Sequence, residues 1–182
     1  MIFGDPYKFA VLIQCIPEWC DDAYKNGVFH FCIDGKFFPD VIGASTIFVD
    51  AYSLIDDSSP LIEFQENKGL FELDVEAAFR ELLAMISPDF NGGHESDFFE
   101  QNLQYKISTE NIEGHGFIAF AVGCKSSVRV MCAKCYELKN DEKGQGYWGV
   151  VDCLNITEAV VDKAELVSMM TSVKEYVVKA LS

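Results

Sequence analysis

Asp34-Gly35 separates two apolar, alternating stretches, Gly27-Val28-Phe29-His30-Phe31-Cys32-Ile33 and Lys36-Phe37-Phe38, and no other dipeptide limits the fold of this chain as strongly. A two-residue turn requires left-handed backbone at both central positions, which aspartate tolerates and glycine favours, so the pair specifies a tight hairpin. That turn length sets Phe31 opposite Phe38 and Cys32 opposite Phe37. Phe29, Phe31 and Ile33 then share one face, His30 points the other way, and Pro39 stops the returning strand. Ahead of the hairpin, residues 7–16 are apolar on both alternating faces, with Phe9, Val11, Ile13 and Cys15 on one and Ala10, Leu12 and Ile16 on the other. A strand of that kind belongs inside a sheet.

The same opening residues carry a family resemblance. The chain begins Met-Ile-Phe-Gly-Asp-Pro, continues through Pro17-Glu18-Trp19, and closes the pattern with Asn26-Gly27-x-Phe29-x-Phe31-x-Ile33-Asp34-Gly35-x-x-Phe38-Pro39. In these residues it resembles the immunity 42 family of bacterial polymorphic-toxin and contact-dependent growth inhibition systems. The resemblance implies a small cytosolic protein, encoded beside a secreted toxin, that protects the producing cell by binding the toxin's C-terminal domain. It implies no catalytic residue. Trp19 matches a tryptophan of that pattern; of two roles open to it, locking the fold or touching the partner, the structural one is expected. The resemblance covers residues 1 to about 40, and the rest of the chain is read from its residues alone.

A second extended segment is expected over 41–51, where Ser45 and Thr46 lie among β-branched and aromatic neighbours, with a loop at Asp56-Asp57-Ser58-Ser59-Pro60. Short strands are expected at 61–64 and 70–73. Val75, Ala78, Phe79, Leu82, Leu83 and Ile86 recur at helical spacing, so a helix spans 75–86, capped by Asp74 and closed by Ser87-Pro88. Strands are expected again around 103–107, 116–123, 127–138 and 147–154, the last two joined by a turn at 140–146 in an antiparallel meander. A final helix over 163–181 buries Leu166, Met170, Val173, Val177 and Ala180, with Asp162 and Glu165 as a cap-like pair. The reading is a single α+β domain over 1–182, a mostly antiparallel sheet against two main helices.

Charge excludes some functions and leaves others open. The 29 acids and 14 bases give a formal net charge of −15, with only two arginines, Arg80 and Arg129. Direct nucleic-acid binding is disfavoured, because neutralising phosphates takes clustered basic residues. Spread evenly, this charge would put about one or two net negative charges on a standard partner footprint of about 800 Å², so a patch carrying five would be a deliberate feature. Solubility alone also explains acidity. No uncharged run reaches the length of a membrane span, and the N-terminus lacks a basic stretch leading into an apolar one, so a cytosolic protein is expected.

Candidate chemistry is sparse. Seven cysteines cannot all pair and read as small core hydrophobes. Cys132-x-x-Cys135 has a metal-like spacing, but residues three apart on a strand project from opposite faces, so no metal is expected there and no cofactor elsewhere. His30, His94 and His115 lie far apart in the sequence; a Cys and His pair meeting in space, as in a small hydrolase, is the alternative from another class. Pro88-Asp89 with Glu137-Leu138-Lys139 resembles a nuclease acid-x-Lys pattern, yet acid-x-Lys recurs at 34–36, 66–68 and 141–143, so the spacing carries little information. A non-catalytic assembly subunit is a third reading. For a toxin-binding protein, the expected contacts are Asp21 and Asp22, Asp56 and Asp57, and the 89–100 loop with Asp89, Glu95, Asp97, Phe98 and Glu100. That loop reads equally as an amphipathic connector whose phenylalanines cover the core.

Overall fold

In the computed structural model, which describes residues 1–87, 90 and 99–181, the hairpin forms as its turn dictates. β1 (Ile2–Gly4), β2 (Phe9–Cys15), β3 (Asn26–Ile33) and β4 (Lys36–Phe38) make one antiparallel sheet in chain order. Phe31 faces Phe38 and Cys32 faces Phe37. Asp34 and Gly35 sit at φ 49° and 74°, the left-handed pair that this turn demands. β2 lies between β1 and β3, so both of its edges are paired.

The strand expected over 41–51 is largely replaced. Only β5 (Ser45–Thr46) is extended, paired with the start of β3, and α1 (Ile47–Ile55) follows. Ile47, Ala51, Leu54 and Ile55 are buried at i, i+4, i+7 and i+8. That helical stripe outweighs the β-branched composition around it. The expected strands at 61–64 and 70–73 also give way, the first to turns and the second to α2 (Lys68–Glu72), whose start is fixed by Asn67 accepting the Leu70 amide. α3 (Val75–Ile86) keeps its expected bounds, with the Asp74 carboxylate accepting the Ala77 amide.

The 103–107 segment touches the second sheet through one bridge, Lys106 to Phe120, and the short α4 (Glu110–Gly114) precedes that sheet. β6 (Phe117–Cys124) and β7 (Ser127–Lys134) pair along their length. The expected meander then leaves the sheet. The Gly116 carbonyl accepts both the Cys135 and Tyr136 amides at 2.7 and 3.0 Å, turning the chain away. β8 (Tyr136–Asn140) and β9 (Gly146–Val150) consequently pair only with each other. β10 (Thr157–Asp162), not expected from the sequence, takes the place beside β7. α5 (Lys163–Leu181) closes the fold, its first turn held by the Asp162 carboxylate accepting the Ala164 amide.

The β6–β7–β10 sheet is the middle layer. One of its faces, with Ala119, Ala121, Val128, Val130 and Cys132, shares a core with Phe9, Val11, Phe29 and Phe31 of the first sheet and with the inner sides of α1 and α5. Its other face, with Ile118, Phe120, Met131, Ala133 and Cys135, packs against α3. Cys132 and Cys135, the latter just past the end of β7, therefore lie in different cores. Burial pushes both thiols up, Cys135 to about 12. Among the described residues no helix is long and apolar enough to cross a membrane.

Candidate functional site

Asp21 and Asp22 are exposed, in the turn that leads from Trp19 into β3. The Asp21 carboxylate accepts the amides of Ala23 and Tyr24 at 2.8 and 2.6 Å, so it shapes its own loop. Four residues on from Asp21, the Lys25 carbonyl accepts the Ile47 amide at 3.0 Å, which places this loop at the N-terminal end of α1. Asp56 caps the opposite end of the same helix, and Asp57 follows it. The Asp56 carboxylate takes the Ser58 amide and hydroxyl, and these bonds, the hydroxyl first, hold its pKa below the ordinary carboxylate value. Asp57 pairs with Lys174 of α5 at 3.3 Å, and its side chain is 91% exposed. Nine residues of helix place the two acidic loops roughly 14 Å apart, within one partner footprint roughly 30 Å across.

The charge there is modest. Asp21, Asp22, Asp56 and Asp57 stand against Lys25 and Lys174, which leaves about the even share of a footprint rather than a concentrated patch. Between the two loops, α1 turns aromatic side chains outward. Phe48 and Tyr52 are 52% and 45% exposed, and their rings, four residues apart, pack tilted at 45° with centroids at 4.5 Å. Val49 is exposed beside them, and Tyr52, Asp56, Asp57, Lys174 and Val178 line an open groove between α1 and α5. Exposed, mutually supported aromatics flanked by charge are the composition of a protein-binding surface.

Trp19 adds to this end of the molecule instead of locking the core: it is 43% exposed, and Tyr24 is 58% exposed. The expected structural role does not match that exposure. Glu100 is exposed but distant from α1, because Gln101 and Asn102 bond to the Ile86 and Met85 carbonyls at the end of α3, across the middle sheet. Asp89, Glu95, Asp97 and Phe98 lie outside the described residues, as does His94. Phe90 packs edge-on against Tyr136 with centroids at 5.7 Å, the covering role open to the phenylalanines of that loop. A strand over 41–51 gives Phe48 no shared face with Tyr52, which lies just beyond it. The helical spacing of Ile47, Ala51, Leu54 and Ile55 was the signal that would have put them on the outer face.

Several residues of the alternative chemistries are engaged elsewhere or carry raised thiol pKa values. Lys139 of the nuclease-like pattern contacts Glu137 at 3.5 Å and Asp152 at 3.2 Å. Desolvation raises the thiol pKa of Cys15, Cys32, Cys132 and Cys135, away from the thiolate that a nucleophile needs. Among the described residues, no three His, Cys, Asp or Glu side chains are grouped to hold a metal.

A family model described as immunity protein 42 matches residues 1–176. Among solved structures, the chain is similar to the crystal structure of CdiI from Burkholderia dolosa AUO158, with a TM-score of 0.71 and 23% identity over 97% of this chain and 99% of that one. That likeness shows the fold. A search of curated proteins gives no match.

Proposed function

The chain belongs to the immunity protein 42 family, and on that premise we propose that it binds one cognate toxin domain in the cytosol of the cell that makes it and keeps the toxin from its substrate. The family match over nearly the whole chain carries this reading. The protein acts by occupancy and performs no turnover of its own. A formal charge of −15 favours a toxin with a basic substrate groove, and a nuclease fits that description. An acidic body is drawn to such a groove over several ångströms before contact, which raises the association rate, and its bulk then denies the groove to nucleic acid.

The contact surface is the outer side of α1 with the loops at its two ends. Phe48 and Tyr52 supply the desolvated anchors, and Asp21, Asp22, Asp56 and Asp57 supply the polar rim. Charge sets the rate of encounter and the aromatics set the residence time. The test is co-expression with the toxin domain of the adjacent reading frame, followed by association kinetics at rising salt. Growth in the presence of the toxin, with association slowing as salt rises, supports the proposal. Arrested growth would refute the immunity role, and an association rate indifferent to salt would remove the steering.

A further inference from the structure

The side of the first sheet that faces away from the core has one feature that packing and folding leave unused. Residues 39–42 fold back over this face, and with β2, β3 and β4 they enclose a cavity of about 250 Å³ lined by Leu12, Val28, His30, Phe37, Asp40 and Ile42 among others. Its volume lies below the range of about 300–1,000 Å³ usual for cofactors and drug-sized ligands, so it suits one long side chain. Phe37 and Ile42 at its mouth are 45% and 83% exposed.

His30 is only 3% exposed, and its two ring nitrogens are in different situations. Nδ1 lies 2.9 Å from the Pro39 carbonyl oxygen, which can only accept, so Nδ1 carries the proton. Nε2 is then a bare acceptor with no surface open to solvent, and no group among the described residues donates to it. An unpaired buried acceptor costs stability, and a fold that keeps one beside a cavity has an acceptor to offer.

We propose that residues 39–42 move aside so that this cavity receives a long cationic side chain, lysine or arginine, of the toxin domain, whose N–H then reaches His30 Nε2 while the Asp40 carboxylate neutralises its charge and Leu12, Phe37 and Ile42 cover its aliphatic stem. The inference rests on the toxin-binding reading. The net charge of −15 favours a basic partner, and amphipathic cationic side chains bury their stems while keeping the head group paired. The cavity lies near the strand end that leads to α1. His30 stands four residues along β3 from Asn26, which pairs with Thr46 just before α1. At about 3.3 Å per residue this is roughly 13 Å along the strand.

The test uses the whole chain and the toxin domain encoded beside it. Wild-type protein labelled with ¹⁵N in its imidazoles should show the His30 Nε2 resonance moving upfield on toxin binding, as a bare nitrogen does when it accepts a hydrogen bond. His30→Phe, which keeps a ring but removes the acceptor, and Ile42→Lys, which brings a competing cation to the mouth, should each weaken toxin binding tenfold or more. Asp40→Asn should weaken it severalfold, and Glu142→Gln, in the distant β8–β9 turn, should not. Melting curves establish that each variant is folded; should His30→Phe not fold, the other two variants and the resonance decide. Tight wild-type binding with a stationary Nε2 signal and variants within twofold of wild type would overturn the cavity assignment and leave the immunity reading intact. Wild-type protein that does not bind the toxin would overturn both.

Discussion

The buried carboxylate of Asp50, 2% exposed in the first turn of α1, accepts the Asn111 backbone amide of α4 at 2.8 Å. Its other oxygen accepts the Ser45 hydroxyl. Asn111 in turn reaches the Phe29 carbonyl with its side chain at 2.9 Å, so one acid ties α1, α4 and β3 together. Asp50→Ala leaves an amide and a hydroxyl without a partner, and at about 1–3 kcal/mol for each orphan the expected loss is about 3 kcal/mol of unfolding free energy. Asp50→Asn retains an acceptor and should lose less. Urea denaturation followed by circular dichroism measures both, and an Asp50→Ala variant as stable as wild type would show that water satisfies the exposed groups.

Arg129 plays a comparable part on the other side of the middle sheet. It is 5% exposed, donates to Glu158 at 2.6 Å, and donates to the Phe71 and Leu73 carbonyls at 3.1 and 2.7 Å, capping α2. Breaking a buried ion pair costs about 3–5 kcal/mol, and because Glu158 is 40% exposed and can be rehydrated, the lower end, about 3 kcal/mol, is expected for Arg129→Met. Arg129→Lys has no fork and should recover only part of that. The comparison of the two in the same urea series separates charge from geometry.

Acidification should destabilise the protein through His30. Burial lowers its pKa below the ordinary histidine value, partly opposed by its bond to Pro39. Between the folded pKa and the unfolded value of about 6.5, the unfolded chain binds a proton that the folded chain refuses, so stability falls as pH drops through that interval. The contribution is fully present above about pH 6.5. Urea midpoints taken from pH 7.5 to 5 should decline more steeply for wild type than for His30→Phe; parallel declines would assign the acid sensitivity to other groups.

Glycine at position 27 allows two elements to approach closely. A Cβ built there would lie 2.0 Å from the Gln14 carbonyl oxygen of β2 and 2.5 Å from Cδ1 of Ile47. Backbone on one side and a buried helix residue on the other leave no room to yield, so Gly27→Ala should destabilise by about 3 kcal/mol, within the range for overpacked sites. Gly144→Ala is the informative contrast: its φ is 78°, but nothing lies within 4 Å of the added carbon, so only the backbone cost of about 1–2 kcal/mol applies. Thermal melts of the two should differ in that order.

Parts of this fold could be read from the sequence where local chemistry decides them. Asp34-Gly35 sets the hairpin register because turn geometry acts over four residues, and Asp74 with the Val75-to-Ile86 stripe bounds α3 for the same reason. Errors occur where distant contacts decide. Residues 45–49 have strand-like composition, yet α1 forms because Ile47, Ala51 and Leu54 find a core built by β2, β3 and α5. The β8–β9 ribbon leaves its sheet because the Gly116 carbonyl captures two amides twenty residues downstream, and β10 then occupies β7's free edge. The candidate surface follows the same rule. The acids were visible as residues, but the aromatic pair between them appears only once α1 is a helix.

That aromatic pair yields the prediction most specific to function. Phe48 and Tyr52 pack on each other and are about half in water, so removing them should cost the fold little while depriving a partner of its desolvated anchors. Truncating an interface anchor typically costs at least about 2 kcal/mol of binding, which corresponds to roughly thirtyfold in affinity. Phe48→Ala and Tyr52→Ala should each approach that loss against the toxin domain, chiefly through faster dissociation. Asp57→Lys should slow association and flatten its salt dependence with a smaller effect on dissociation, since it changes an exposed rim charge. Surface-immobilised toxin with the variants in solution resolves the two rates. If both alanine variants dissociate at the wild-type rate while still melting at the wild-type temperature, the α1 face is not the contact surface, and the toxin must bind elsewhere on the molecule.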